Sequence, residues 1–148
     1  MAHIERTARV AWDGNLARGA GTIDAESGAF ARLPFSLPSR IGEPGGKTSP
    51  EELLAAAHAG CLTMSLAGEL TATGTPPGRL DVSCTIVMDE VDGSGHQIVG
   101  SRVAIEARVE AVDRGELQAA VERADEGCPF SQLLRRAGAA VEISARLA

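Results

Sequence analysis

The sequence predicts an α+β fold with a largely antiparallel sheet. Strand-like segments come as hairpin pairs rather than singly between helices, which argues against a doubly wound parallel fold. A long Ala-rich segment after residue 50 is apolar nearly all round, which is typical of a central, buried helix. No repeat, low-complexity tract or linker interrupts the 148 residues, so we expect a single domain spanning residues 1–148.

The first quarter of the chain predicts strands joined by turns. Residues 7–12 alternate as in a strand, and Asp13-Gly14-Asn15 contains the Asp-Gly pair that signals a hairpin. We expect Leu16 to Ala25 to form the return strand, with a further turn at 26–28. Residues 34–47 contain three Pro and three Gly, which predicts a long loop, and long loops in small domains are often functional.

The central helix has a clear start signal. Ser49 fits an N-cap, Pro50 the first helical position and Glu52 the third residue of a capping box. The helix should end near Thr73-Gly74. Gly60 lies in its middle, where glycine costs about 1 kcal/mol against alanine, so we expect another helix to pack closely there. So apolar a helix is hard to bury in a small chain, which favours an intimate dimer.

The second half of the chain alternates between hairpin and helix patterns. Alternating apolar residues predict two strands, and periodic apolar residues followed by a Gly-Cys-Pro break predict two helices. A final alternating segment predicts the last strand. The expected elements are a strand at Leu80–Val91, a strand at Ile98–Val112, a helix at Gly115–Glu126, a short helix at Phe130–Arg136 and a strand at Ala140–Leu147.

Composition excludes several classes of function. The formal net charge of −6 argues against general nucleic-acid binding, and one Trp, three Phe and no Tyr leave few aromatic rings for stacking on bases. No apolar run approaches the roughly 20 residues of a membrane span, so we expect no membrane partner. The polar N-terminus lacks a signal-peptide core, and the odd count of three cysteines does not suit a disulfide scaffold. Together these favour a reducing, cytoplasmic location.

Three cysteines could carry chemistry. Cys61 lies on the central helix and Cys128 at the Gly-Cys-Pro break, and either could instead be a small core residue, as most unpaired cysteines are. Cys84 fits the inward face of a strand and is best explained by the core. A metal site is weak, because no compact zinc spacing is present. His58 precedes Cys61 by one helical turn, so a Cys–His dyad is conceivable, although a structural histidine is the simpler interpretation.

A reactive Cys61 needs a cation to ionise. Burial raises the pKa of a thiol and a nearby positive charge lowers it. Cys61 is twelve residues past the N-cap, about 18 Å at roughly 1.5 Å per residue, so the dipole of its own helix cannot help. Arg40 in the Pro/Gly-rich loop is the best candidate and Arg18 the second, although either could be a surface arginine. Glu51, in the first turn of the helix, could act through Arg40 or come from another subunit.

Several motifs resemble the OsmC/Ohr family of thiol-dependent hydroperoxide reductases. The segment SPEELLAAAHAGCLTMSL at 49–66 resembles the central-helix motif of that family, and ADEGCPFSQLL at 124–134 resembles its second cysteine motif. AWDGNLARGAGT at 11–22 and ESG at 26–28 are also similar. The arginine in SLPSRIGE and the histidine in AAHAGC favour the OsmC branch over the Ohr branch. The resemblance covers essentially the whole chain.

The resemblance implies a fold and a set of site residues. The fold would be α+β, with antiparallel sheets wrapped around central helices in an intertwined homodimer and active sites at the subunit interface. Cys61 resembles the peroxidatic cysteine, Cys128 the resolving cysteine, Arg40 the activating arginine and Glu51 the acid that orients it. Cys84 matches no functional position of the family.

The resemblance also implies a reaction, used in oxidative and osmotic stress defence. A hydroperoxide would oxidise Cys61, Cys128 would close a disulfide, and a dithiol such as a lipoylated protein would reduce it, with no flavin, haem or metal. The apolar residues around the thiols (Leu62, Met64, Phe130 and Leu133) favour organic hydroperoxides, with hydrogen peroxide a further substrate. Two alternatives stay open: a cysteine acyl-transfer hydrolase using Cys61 and His58, and a non-enzymatic redox-sensing or binding module.

Overall fold

A computed structural model describes residues 3–148 of the chain, which divides into two compact units, one ending at Pro50 and one spanning Glu51–Ala148. Both contain strands and helices, so the predicted α+β class is confirmed, whereas the expectation of a single domain stays a prediction. The first unit holds β1 (Ala8–Asp13), β2 (Ala20–Ala25), β3 (Leu33–Phe35) and α1 (Leu37–Ile41). The remaining elements are α2 (Pro50–Ala72), β4 (Arg79–Val91), β5 (Gly95–Arg108), α3 (Arg114–Gly127), α4 (Pro129–Arg136) and β6 (Ala140–Leu147).

The first unit is built on an antiparallel sheet with the order β1-β2-β3. Gly21 on β2 pairs with Trp12 of β1 and Phe35 of β3, and the two aromatic rings lie 5.5 Å apart between centroids. A Cβ atom on Gly21 would lie 2.4 Å from the Phe35 ring. Glycine is therefore required where the Phe35 ring packs against the sheet backbone.

Two expectations for this unit were wrong. The return strand begins at Ala20 rather than Leu16, because the Asn15 carbonyl accepts a hydrogen bond from the Gly19 N–H at 2.7 Å and extends the turn. The Pro/Gly-rich segment 34–47 is not a structureless loop, since it contains the short helix α1. Ser36 caps α1 in a capping box with Ser39, a signal that stands in the sequence immediately before Leu37.

The second unit contains a three-stranded sheet with the order β4-β5-β6. β4 and β5 form the predicted antiparallel hairpin, with a register shift between Val87 and Met88. β5 and β6 pair in parallel, because α3 and α4 form the crossover between them. β5 ends at Arg108 rather than Val112, and Ala111 beyond it adopts a left-handed φ of 58° that no regular strand has.

The core lies between this sheet and the helices. β5 buries alternate residues on one face, and α2 and α3 bury residues at helical spacing against them. Each buried leucine of this kind contributes about 2 kcal/mol through the hydrophobic effect. The buried cluster consists of Leu62, Leu66, Leu70, Val103, Ile105, Ala107, Leu117, Ala120, Val121, Ala124 and Cys128.

The central helix α2 confirms the predicted bounds but not the predicted burial. Its buried residues are His58, Leu62, Leu66 and Leu70, one stripe at every fourth position. Met64 is 72% exposed, and a Cβ atom on Gly60 would meet nothing within 4 Å among residues 3–148. The expected close packing of another helix on Gly60 is thus not made within residues 3–148, and it stays a prediction. Much of the apolar surface of α2 is uncovered in one chain.

The same helix contradicts the expectation that no apolar segment is long enough to span a membrane. α2 has 23 residues and contains an 18-residue segment with a mean hydropathy of 1.3, so by length and composition alone it could cross a membrane. This is weak evidence for a membrane helix, because the core helix of a soluble domain passes the same test. Within this unit the three buried leucines of α2 belong to the core cluster.

Candidate active site

The two cysteines singled out from the sequence meet in the second unit. Cys61 lies half-buried in the middle of α2, and Cys128 is completely buried between α3 and α4. They are 67 positions apart in the sequence, but Cys61 packs against the buried cluster that contains Cys128, and Cys128 is close enough to raise the pKa of Cys61. All three cysteines of the chain are free thiols in this structure. The arrangement therefore brings two reduced thiols together.

The start of α4 holds Cys128 in place and also contacts Cys61. Cys128 is the N-cap of α4 in an extended conformation, followed by Pro129 in the first turn. The Phe130 N–H, one of the first amides of the helix, donates a hydrogen bond to the Cys61 sulfur. The first amides of a helix have no partner within it and favour negative charge. The helix that assists Cys61 is thus α4 and not its own α2.

These contacts act on the Cys61 thiol in opposite directions. Burial has the largest effect and raises the pKa of Cys61, and the neighbouring Cys128 raises it further through its hydrogen bond and its charge. The Phe130 amide lowers it, but by less than the other effects together raise it. Ionisation of Cys61 near neutral pH therefore requires a positive charge in addition to the α4 amide.

His58 forms a buried polar network one helical turn from Cys61. The ring is completely buried, with Nδ1 2.7 Å from the Ser101 hydroxyl on β5 and Nε2 2.8 Å from the Ser131 hydroxyl on α4. Both serines are also completely buried. Burial lowers the pKa of His58, the charge of Asp125 opposes this, and Arg135 lowers it further. The neutral ring therefore links three elements.

Cys84 belongs to this network rather than to the thiol pair. Its sulfur lies 3.2 Å from the Ser101 hydroxyl and 3.9 Å from His58 Nδ1. The side chain packs against the core, as its place on a strand predicts. Cys84 therefore has polar neighbours, which were not expected of a side chain that only packs in the core.

An ion pair joins the two helices on either side of Cys128. Arg135 of α4 donates to Asp125 of α3 at 2.6 Å, and the Asp125 carbonyl accepts the Cys128 N–H at 3.2 Å. The other carboxylate oxygen, Oδ1, is buried with no hydrogen-bond partner within residues 3–148. The pKa of Arg135 is raised, chiefly by its hydrogen bond to Asp125 and in part by the charge of Cys128. Cys128 is thus next to the ion pair between Arg135 and Asp125.

The remaining predicted site residues are divided between the two units. Arg40 is exposed in the last turn of α1, in the first unit, as is Arg18 in the turn before β2. Glu51 is half-buried in the first turn of α2, where the second unit begins. The roles of Arg40 and Glu51 at Cys61 stay predictions. Within residues 3–148, no group of three or more His, Cys, Asp or Glu side chains could hold a metal ion.

The contacts that α4 makes at the site were not predicted from the sequence. The Cys128-Pro129 pair is an N-cap signal, which could have identified the Phe130 amide as a donor near a thiol. Ser131 follows Cys128 by three residues, just as His58 precedes Cys61 by three, but no periodicity shows that these two pairs meet. Asp125 and Arg135 lie ten residues apart across a helix break, so their contact depends on the angle between α3 and α4.

Comparison with known proteins supports the resemblance noted in the sequence. The profile of the family described as OsmC-like protein matches residues 42–144. The peroxiredoxin OsmC of Escherichia coli strain K12 is 35% identical over 133 residues, which cover 89% of this chain and 91% of that protein. The chain belongs to the OsmC-like protein family.

Two more distant matches are also similar over most of the chain. The organic hydroperoxide resistance protein of Xanthomonas axonopodis pv. citri (strain 306) is 29% identical over 119 residues, which cover 76% of this chain and 77% of that protein. The crystal structure of an organic hydroperoxide resistance protein OsmC from Legionella pneumophila matches with a TM-score of 0.72. That match covers 100% of this chain and 99% of that one at 22% identity, so it establishes the fold of the family alone.

Proposed function

We propose that this protein is a cysteine-based peroxidase that reduces organic hydroperoxides, and hydrogen peroxide as well. The observation that carries the proposal is the proximity of Cys61 to Cys128, since Cys61 packs against the buried cluster that contains Cys128. Two reduced thiols in contact can store and return two electrons as a disulfide. The relatives named for peroxiredoxin activity and hydroperoxide resistance support the same conclusion.

The reaction begins at Cys61, the more exposed of the two thiols. Its thiolate attacks the distal oxygen of the hydroperoxide, an S–O bond forms, the O–O bond breaks, and an alcohol leaves after taking a proton. Cys61 is then a sulfenic acid, oxidised by two electrons. Cys128 attacks this sulfur, forms the disulfide and releases water. An external dithiol, such as the lipoyl group of a protein, restores both thiols by exchange and becomes a disulfide itself.

In this proposal Arg40 supplies the positive charge that Cys61 needs, and Glu51 orients it. The requirement follows from the raised pKa of Cys61. A cation in contact lowers a thiol pKa by about 1 to 3 units, so Arg40→Gln should reduce kcat/KM at neutral pH by about ten- to a thousandfold. Arg6→Gln is the matched control, because it removes an exposed arginine of the same unit that is not a candidate for activating Cys61. Equal activity in both variants would remove Arg40 from the mechanism.

The preference for organic substrates rests on exposed apolar side chains near the thiols in sequence. Met64 follows Cys61 by one helical turn and is 72% exposed, and Leu133 on α4 is 58% exposed. Contiguous apolar patches in solvent commonly mark binding surfaces, and we propose that these two side chains contribute to one. We place the organic part of the hydroperoxide against them.

The acyl-transfer alternative loses its general base in this structure. Both ring nitrogens of His58 are hydrogen-bonded to buried serine hydroxyls. A general base needs a free nitrogen within reach of the nucleophile's proton. The redox-sensing alternative uses the same thiol pair and differs only in lacking repeated turnover.

Assembly, location and cofactors complete the proposal. A second copy of the chain would cover the remaining apolar surface of α2 in an intertwined homodimer. The electrons come from the external dithiol, so the scheme requires no resident cofactor. A cytoplasmic location would keep the thiols reduced between turnovers.

The proposal is tested by turnover of cumene hydroperoxide with dihydrolipoamide as reductant. Cys61→Ser should abolish turnover, and Cys128→Ser should allow one oxidation of Cys61 and then overoxidation. Cys84→Ser is the matched control, since Cys84 is a half-buried thiol of the same unit that takes no part in the scheme. Turnover that persists in Cys61→Ser would refute the proposal, and a single oxidation without turnover would favour the redox sensor.

A further inference from the structure

Two side-chain contacts connect α2 to α4, and they lie next to each other between the same two helices. The first joins Cys61 to Cys128, and the second joins His58 to Ser131 at 2.8 Å. On α2 the two residues are three positions apart, and on α4 they are again three positions apart. Residues at this spacing lie on one helix face, about 4.5 Å apart along the axis. The histidine–serine contact therefore lies one turn from the thiol contact between the same two helices.

The other side of the His58 ring is attached to the sheet. Nδ1 lies 2.7 Å from the Ser101 hydroxyl on β5, and the Cys84 sulfur on β4 is a second neighbour at 3.9 Å. His58, Ser101 and Ser131 have no exposed surface. Buried polar groups are costly to leave unpaired, which makes each of these bonds specific in position. The His58 ring is therefore held in place, and its hydrogen bond to Ser131 can in turn hold α4 in place.

We propose, on the basis of the peroxidase function above, that His58 is a positioning residue which, through Ser131, holds α4 where Cys128 can attack oxidised Cys61. His58 touches neither thiol in this role. It acts through the backbone of α4, which carries Cys128 at its N-cap and the Phe130 amide that donates to Cys61.

The step that depends on this position is closure of the disulfide. The Cys128 thiolate attacks the Cys61 sulfenic acid, an S–S bond of about 2.05 Å forms, and the S–O bond breaks as water leaves with a proton. A second hydroperoxide competes for the same sulfenic acid and gives the irreversible sulfinic acid. A displaced Cys128 therefore shifts the outcome from disulfide to sulfinic acid.

The experiment measures this partition in two matched serine variants. Reduced full-length protein is mixed with a small excess of cumene hydroperoxide, and intact mass separates the disulfide from the sulfinic acid. Ser131→Ala removes the bond between His58 and α4 and should raise the ratio of sulfinic acid to disulfide by about fivefold, as expected for one lost hydrogen bond. Ser101→Ala removes an equally buried bond of the same ring but leaves the bond to α4.

A merely structural role for the network would affect both variants alike. We expect the ratio in Ser101→Ala to stay within about twofold of the unchanged protein, because Cys84 can still contact Nδ1. Ser131→Thr, which keeps the hydroxyl, should restore the ratio. The same ratio in Ser131→Ala and Ser101→Ala, or no change in Ser131→Ala, would overturn the proposal.

A second oxidant keeps this test independent of the peroxidase proposal. Diamide takes two electrons and two protons from any neighbouring pair of thiols and leaves as a hydrazine, so it closes the disulfide without a peroxidase. Disulfide closure by diamide should be about fivefold slower in Ser131→Ala than in Ser101→Ala. If cumene hydroperoxide does not oxidise Cys61 but diamide shows this difference, the peroxidase function fails and the positioning role stands. If diamide shows no difference, the positioning role fails.

Discussion

Replacement of His58 should change how the stability of the protein depends on pH. The ring is completely buried between two serine hydroxyls, and burial lowers its pKa from the ordinary value of 6.5. Below this value the unfolded chain binds a proton that the folded protein excludes. The folded state therefore loses stability as the pH falls below 6.5 towards the pKa in the folded protein.

The size of this effect follows from the two protonation equilibria. Lowering the pH from about 7.5 to about 5.5 should reduce the free energy of unfolding by at most about 1.4 kcal/mol, the limit reached when the buried ring stays neutral. His58→Gln cannot take up this proton and should lack that part of the loss. The Gln variant should also be less stable at both pH values by about 1 to 3 kcal/mol, since at least one buried serine loses its partner.

Urea unfolding at both pH values, at one fixed protein concentration, measures the difference. Carboxyl groups contribute equally to the pH dependence of the two proteins and cancel when the two are compared. His96→Gln is the control, because His96 is exposed at the start of β5. An identical pH dependence in the unchanged protein and in His58→Gln would refute the argument that His58 is buried in its neutral form.

Three further predictions concern packing and substrate. Leu66→Ala, in the buried stripe of α2, should reduce the free energy of unfolding by about 2 to 5 kcal/mol in urea unfolding; a loss no greater than that of an exposed-site variant such as Leu16→Ala would contradict the core assignment. Gly21→Ala should lower the melting temperature measured by circular dichroism, because its Cβ would lie 2.4 Å from Phe35. Gly28→Ala is the comparison variant, because a Cβ there has open space and the substitution carries only the cost of the positive φ of that residue. Leu133→Gln should reduce kcat/KM for cumene hydroperoxide by about fivefold more than for hydrogen peroxide, and equal losses would remove Leu133 from the substrate site.

The sequence predicted the elements whose signals are local. The start of α2 at Pro50 and the bounds of β6 follow from capping residues and from alternation over eight residues. The extended turn before β2 was missed because it depends on a backbone hydrogen bond from Gly19 to Asn15. Helix α1 was missed because prolines and glycines on both sides of it favour a loop, although Ser36 gives the capping signal.

The site was predictable in its parts but not in its contacts. Both thiols stood out by their motifs, and the family resemblance linked them. Three features depend on where α4 packs: the Phe130 amide on Cys61, the Ser131 hydroxyl on His58 and the pairing of Arg135 with Asp125. The burial of α2 was overestimated, since an apolar composition does not say whether the same chain or a second copy covers the helix.

Mapping the disulfide after a single oxidation tests the central claim most directly. Reduced protein is treated with one equivalent of cumene hydroperoxide, alkylated, digested without reductant and analysed by mass spectrometry. We expect a peptide pair linked through Cys61 and Cys128, with Cys84 alkylated as a free thiol. A link that includes Cys84, or a Cys61 that is alkylated like an untreated thiol, would contradict it.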